Sequence, residues 1–136
     1  MCVDLIIDGV LIAQVYNMNK IEGVAFPTPS DATFQFGFGE IENDKVLIPH
    51  IHKRVKREIE TTSEFLYVIS GEMIVDVLGE DEKFIERVVL TDNMGLLQFI
   101  GGHRIELKSK TKYFEIKQGP YYGRDFDKYN VKFDNI

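Results

Sequence analysis

One cysteine, Cys2, is all the thiol this chain holds. An internal disulfide and dithiol redox chemistry are therefore excluded, a reducing compartment is permitted, and the cytoplasm is the expected location. No apolar run approaches the ~20 residues of a membrane-spanning helix, and Met1-Cys2-Val3-Asp4 lacks the basic start of a secretory leader. Positive charge is scarce: 16 Lys and Arg against 22 Asp and Glu leave a net charge of −6. That balance argues against a nucleic-acid partner, which needs clustered positive charge to displace phosphate counterions. Nucleophilic catalysis has little support, since no serine sits in a G-x-S-x-G setting and Cys2 lies at a terminus expected to fray. Glycine-rich phosphate loops, internal repeats and low-complexity tracts are absent. Tryptophan is missing too, yet Phe and Tyr bring the aromatic content to 12%, which suits a β-rich core.

What is present reads as strands. A chain of 136 residues is expected to be one domain burying roughly two-thirds of its unfolded surface. Asp4 to Tyr16 holds two short apolar runs around Asp8-Gly9, a hairpin signal. Gly23, Pro27, Pro29 and Ser30 make the next stretch a connector. Ala32 to Ile41 alternates, with Phe34, Phe36 and Phe38 on one face, which predicts a strand. These phenylalanines are expected in the core or at a dimer contact. Val46 to His52 is read as another strand, and Lys53 to Ser63 as a loop, because Val55 and Ile59 alone make too thin a face for a helix. Six more strands follow at Glu64–Ile69, Glu72–Leu78, Lys83–Leu90, Gly95–Ile100, His103–Leu107 and Lys112–Gln118, with polar or glycine breaks between them. Helix is nearly absent, and an antiparallel sandwich or barrel is the expected architecture. Residues 1–45 supply N-terminal strands, 46–118 the core, and 119–136 a polar tail.

The chemistry concentrates between Pro49 and Gly71. His50 and His52 lie two apart, so a strand projects both imidazoles from one face. Glu64 opens the following strand. Two imidazoles and a carboxylate from neighbouring strands are the usual protein half of a divalent-metal site. The third and last histidine, His103, follows the Gly101-Gly102 turn. Lys53, Arg54, Lys56 and Arg57 form the one strong basic patch of an acidic chain. It reads either as a solvated loop, offset by Glu58 and Glu60, or as a clamp gripping a phosphate or carboxylate. Along the last strand, periodicity favours Phe114, Ile116 and Gln118 inward, with Gln118 a substrate hydrogen-bonder, and Glu115 and Lys117 outward.

His-x-His, a later glutamate, and six residues on a glycine (Glu64-F-L-Y-V-I-S-Gly71) resemble the first motif of the cupins. Gly101-Gly102-His103 resembles their second, with Gln98 at the spacing of that motif's proline. The string H-K-x-x-x-R-x-I, with E-x-L, G-G-H and E-I-K-Q-G-P-Y after it, is most similar to small bacterial cupins of surface-polysaccharide gene clusters. The resemblance implies a double-stranded β-helix, the jelly-roll barrel. Inside it, His50, His52, Glu64 and His103 would converge on a divalent metal. Three imidazoles and one carboxylate leave two positions open on octahedral Fe, Mn or Ni, and fill tetrahedral Zn.

Three functions follow. The first is isomerisation or epimerisation of a small sugar, sugar-nucleotide-like ligand or organic acid, with Glu64 or His103 moving a proton and Arg57 and Lys53 holding an anionic group. Metal-free proton transfer by histidine is a variant of it. The others are a metal-dependent dioxygenase and a non-catalytic sugar-binding module. Unpaired edge strands and much apolar surface for a small domain further predict a two-fold homodimer.

Overall fold

A computed structural model describes residues 2–132. Residue 1 and residues 133–136, the end of the expected tail, lie outside the described residues. Cys2–Ile7 (β1) and Val10–Asn17 (β2) pair antiparallel through Asp8-Gly9. Both turn residues have positive φ, the geometry of a two-residue turn whose twist matches its strands. Cys2 is therefore held opposite Tyr16 in a strand and is not frayed. A 3₁₀ turn at Met18–Lys20 leads to two short strands, Val24–Ala25 (β3) and Phe38–Gly39 (β4), which pair with each other. The remaining strands are Glu64–Ser70 (β5), Met73–Leu78 (β6), Phe84–Leu90 (β7), Met94–Gln98 (β8), Gly102–Leu107 (β9) and Lys112–Lys117 (β10). Each lies within two residues of the expected bounds. One helical turn, Arg124–Asp127 (α1), follows. No helix among the described residues is long and apolar enough to cross a membrane.

The strands form a five-stranded sheet, β1-β2-β8-β5-β10, and a three-stranded sheet, β7-β6-β9, with every pairing antiparallel. Alternation sends Leu66, Val68 and Leu96 from the larger sheet against Met73, Val75, Val77 and Leu90 from the smaller. All seven are fully buried, and each such side chain contributes roughly 1.5–3 kcal/mol. The fold is thus all-β and antiparallel. Among the described residues no strand joins the two sheets, and they do not close into a barrel.

On the opposite face of the larger sheet, Tyr16, Phe65, Leu97 and Phe99 form a second cluster covered by Phe34, Phe36 and Phe38. The alternation of Ala32 to Ile41 therefore marks a real apolar face, which packs as core. Only Phe38–Gly39 of that stretch pairs as strand, because ring packing against Tyr16 and Phe65 needs no backbone ladder.

Asp76 on β6 is completely buried. Arg87 donates to it through Nε and Nη2 at 2.6 and 2.9 Å, and Arg104 stands 3.5 Å away. The three residues are cross-strand neighbours on β7, β6 and β9, so the ion cluster pins the register of the small sheet. The Arg87 guanidinium holds the Asp76 carboxyl below the usual carboxylate range, against the opposing effect of burial.

Candidate functional site

At one end of the space between the sheets, three strands bring polar groups together. Glu64 on β5 lies beside Gln98 on β8. From the facing sheet, His103 on β9 approaches Glu64, its Nε2 3.5 Å from the carboxylate. Both side chains are largely enclosed, at 18% and 20% exposure. Strand alternation produces this placement: Glu64 shares its face with Leu66 and Val68, and His103 shares its face with Ile105.

Gln98, only 3% exposed, sets the chemistry of the imidazole. Its Nε2 donates to the carbonyls of Ile100 and Gly102 at 3.0 and 2.8 Å. Its Oε1 consequently faces His103 Nδ1, 2.8 Å away, as an acceptor. A neutral imidazole thus carries its proton on Nδ1 and turns the basic Nε2 toward Glu64. In the sequence, Gln98 stands out only as the residue at a motif proline's spacing. A single buried glutamine in an apolar strand, five residues before a histidine, was the one signal available.

One carboxylate and two ammonium groups tune the pair. Burial pushes the Glu64 carboxyl up to about 7, helped by a hydrogen bond and charge from Glu115 and opposed by Lys117 and Lys128. Burial also holds the His103 imidazole below its ordinary value, against the pull of Glu115 and with the push of Lys128. Burial thus displaces both groups toward their neutral forms, and they stand 3.5 Å apart.

Glu115 and Lys117 reach this site because Lys117 pairs with Glu64 and Glu115 with Leu66. The outward placement expected for them is corrected: they share the face of Glu64, while Phe114 stacks on Tyr67 on the other face, 5.0 Å between ring centroids. Periodicity supplied the two sets, but only the pairing of β10 with β5 decides which turns inward. Lys117 is further tied to Asp127 of α1 at 3.0 Å. The tail therefore folds back over this end of the sheets. A cavity of about 320 Å³ lies beside it, lined by Thr61, Ile100, Gly101, Gly102, Asp127 and Lys128 among others.

Arg57 and Gln118 meet elsewhere. Both line a cavity of about 560 Å³ with Phe34, Phe36, Phe65, Leu97, Phe114 and Ile116, across the large sheet from Glu64 and His103. Lys53 is exposed and lines neither cavity.

His50 and His52 do not join the pair. The strand expected at Val46–His52 is absent, and residues 39–58 are exposed throughout. The two rings sit edge to face, 5.2 Å apart, and His50 Nδ1 bonds the Ile48 carbonyl at 2.8 Å. A strand needs a partner edge, and among the described residues this segment has none. Among the described residues, no group of three or more His, Cys, Asp or Glu is placed to hold a metal ion. Burial pushes the Cys2 thiol up to about 11, away from the thiolate form.

The chain matches no family model, no curated protein and no solved structure.

Proposed function

We propose that this is a jelly-roll, cupin-like protein that isomerises or epimerises a small sugar or sugar-nucleotide-like ligand by moving a proton between Glu64 and His103. The observation that carries the reading is the 3.5 Å approach of His103 Nε2 to Glu64, with the imidazole tautomer set by Gln98. His103 Nε2 takes a proton from the carbon beside a substrate carbonyl. Protonated Glu64 gives its proton to the carbonyl oxygen, forming an enediol. The imidazolium and carboxylate so created attract one another across the short gap, lowering the barrier. Return of the carbon proton from His103 to the adjacent carbon, with the other hydroxyl proton passing back to Glu64, gives the isomer. Return from His103 to the opposite face of the original carbon, after the enediol turns over in the site, gives the epimer. The 320 Å³ cavity is not lined by Glu64 or His103, but it neighbours them at Gly102 and Lys128, and its carboxylates and hydroxyls, among them Glu60, Thr61, Thr62 and Glu80, suit a hydroxyl-rich ligand.

A divalent ion, Fe, Mn, Ni or Zn, is the second reading, favoured by the imidazole and carboxylate donors of the pair. Within one chain the donor set does not fit it, because His50 and His52 lie apart from Glu64 and His103.

The test is proton exchange in D₂O, followed by NMR, over a panel of keto sugars, sugar phosphates and nucleotide sugars. The wild-type protein should exchange a carbon-bound hydrogen of one member, and His103→Ala should slow that exchange by about 10²–10⁴-fold. A ligand that binds without exchange, or exchange untouched by His103→Ala, overturns the reading. Elemental analysis of the purified protein decides the metal.

A further inference from the structure

The smaller sheet ends on β9, which pairs with β6 on one side and with no described strand on the other. An open strand edge offers a row of unpaired N–H and C=O groups. The same chain carries a segment, expected as a strand from its sequence, that pairs with no described strand. Val46, Leu47, Ile48 and Ile51 are 91%, 66%, 84% and 92% exposed, and the bonds of this arm stay within it.

The two patterns are complementary. Laid antiparallel on β9 with Ile48 opposite Ile105, the arm sets Val46 opposite Leu107 and His50 opposite His103. The inward face of β9 carries His103, Ile105 and Leu107, and the arm matches it apolar to apolar and imidazole to imidazole. His52, two residues on, falls at the Gly101-Gly102 end, above Glu64. No other register of whole two-residue steps aligns both aliphatic residues and the histidine.

The arm's other face, Leu47 and Ile51, is as apolar as the first. A strand apolar on both faces is buried on both. On its own chain the arm makes none of these pairings, since residues 45–53 are exposed throughout and pair with no described strand. We propose that residues 45–53 add to the β9 edge of a second copy of this chain, each of two chains giving its arm to the other. The partner's His50 and the partner's His52 thereby complete the site of Glu64 and His103. Exchange of an identical element is a low-cost, self-closing route to a two-fold dimer. An aliphatic side chain buries about 60–120 Å² of apolar surface. Four per arm, Val46, Leu47, Ile48 and Ile51, give roughly 500–1,000 Å² over two arms. With the surfaces they cover, that reaches the roughly 1,200–2,000 Å² of a stable interface. The proposal rests on the catalytic reading only in treating the Glu64–His103 pair as the site; the strand pairing stands without it.

Engineered cross-links test it. Paired residues of an antiparallel ladder have Cα atoms about 4.5–5.5 Å apart, within disulfide range. In a Cys2→Ser background, Ile48→Cys and Ile105→Cys chains bearing different tags are co-expressed and oxidised. A covalent heterodimer on a non-reducing gel is the expected result. In a single chain carrying both substitutions, an internal disulfide at monomer mass overturns the proposal, as does a monomeric wild-type protein by light scattering. Should the cysteine variants fail to fold, Ile48→Asp provides the second measurement. It should convert a dimer to a monomer with an unchanged circular dichroism spectrum, and a persistent dimer overturns the exchange. Cross-linking without turnover would leave the exchange standing and remove the catalytic reading; turnover by a monomer would do the reverse.

Discussion

Replacing Glu64 with glutamine should change how stability responds to pH, with a sign and size set by the site. The unfolded carboxyl titrates at 4.5 and the folded one at about 7. Between these values the folded protein binds more protons than the unfolded chain, so stability contributed by protonated Glu64 is fully present below pH 4.5 and is lost as pH rises through about 7. The gap of 2.5 units, from 4.5 to about 7, corresponds to about 3 kcal/mol at 1.36 kcal/mol per unit. His103 works in the opposite sense. Its folded value is lowered, so stability rises as pH climbs through that value toward 6.5, and the wild-type curve blends the two. Glutamine keeps the shape and hydrogen-bonding capacity of the protonated acid but does not titrate, which isolates the carboxyl. Urea unfolding followed by tyrosine fluorescence, at half-unit steps from pH 4.5 to 8, gives both curves. The wild-type protein should lose about 3 kcal/mol relative to Glu64→Gln across that range. Parallel curves would show that Glu64 titrates alike in both states and would refute the enclosed pair.

Asp76→Asn should destabilise by about 1.5–3 kcal/mol in the same assay, the range for hydrogen bonds to charged groups, because it removes the anion held by Arg87 and Arg104; an unchanged midpoint would dismiss the cluster as decoration. Gly101→Ala should cost about 1–3 kcal/mol, since Gly101 has a φ of +87° and a new Cβ would strike the Leu78 carbonyl oxygen. A neutral result in urea unfolding would contradict that geometry. Arg57→Ala should leave stability near wild type and weaken binding of an anionic ligand in the aromatic cavity by roughly 10- to 100-fold, with Arg57→Lys recovering part of it. Equal affinities by titration calorimetry would remove Arg57 from ligand binding.

The sequence by itself determined the strand inventory from Glu64 to Lys117, the Asp8-Gly9 hairpin and the near absence of helix. Those features follow from period-two alternation and from turn residues able to take positive φ, which are local properties. It also marked Phe34, Phe36 and Phe38 as an apolar face, and Glu64 and His103 as candidates for one site. Tertiary structure alone decided three matters. It set which face of β10 turns inward, because Glu115 and Lys117 follow from pairing with β5. It gave Gln98 its role, because the amide is fixed by two carbonyls and an imidazole that only the folded chain assembles. And it separated His50 and His52 from the pair: alternation can place two side chains on one face, but a strand exists only where another backbone edge receives its hydrogen bonds.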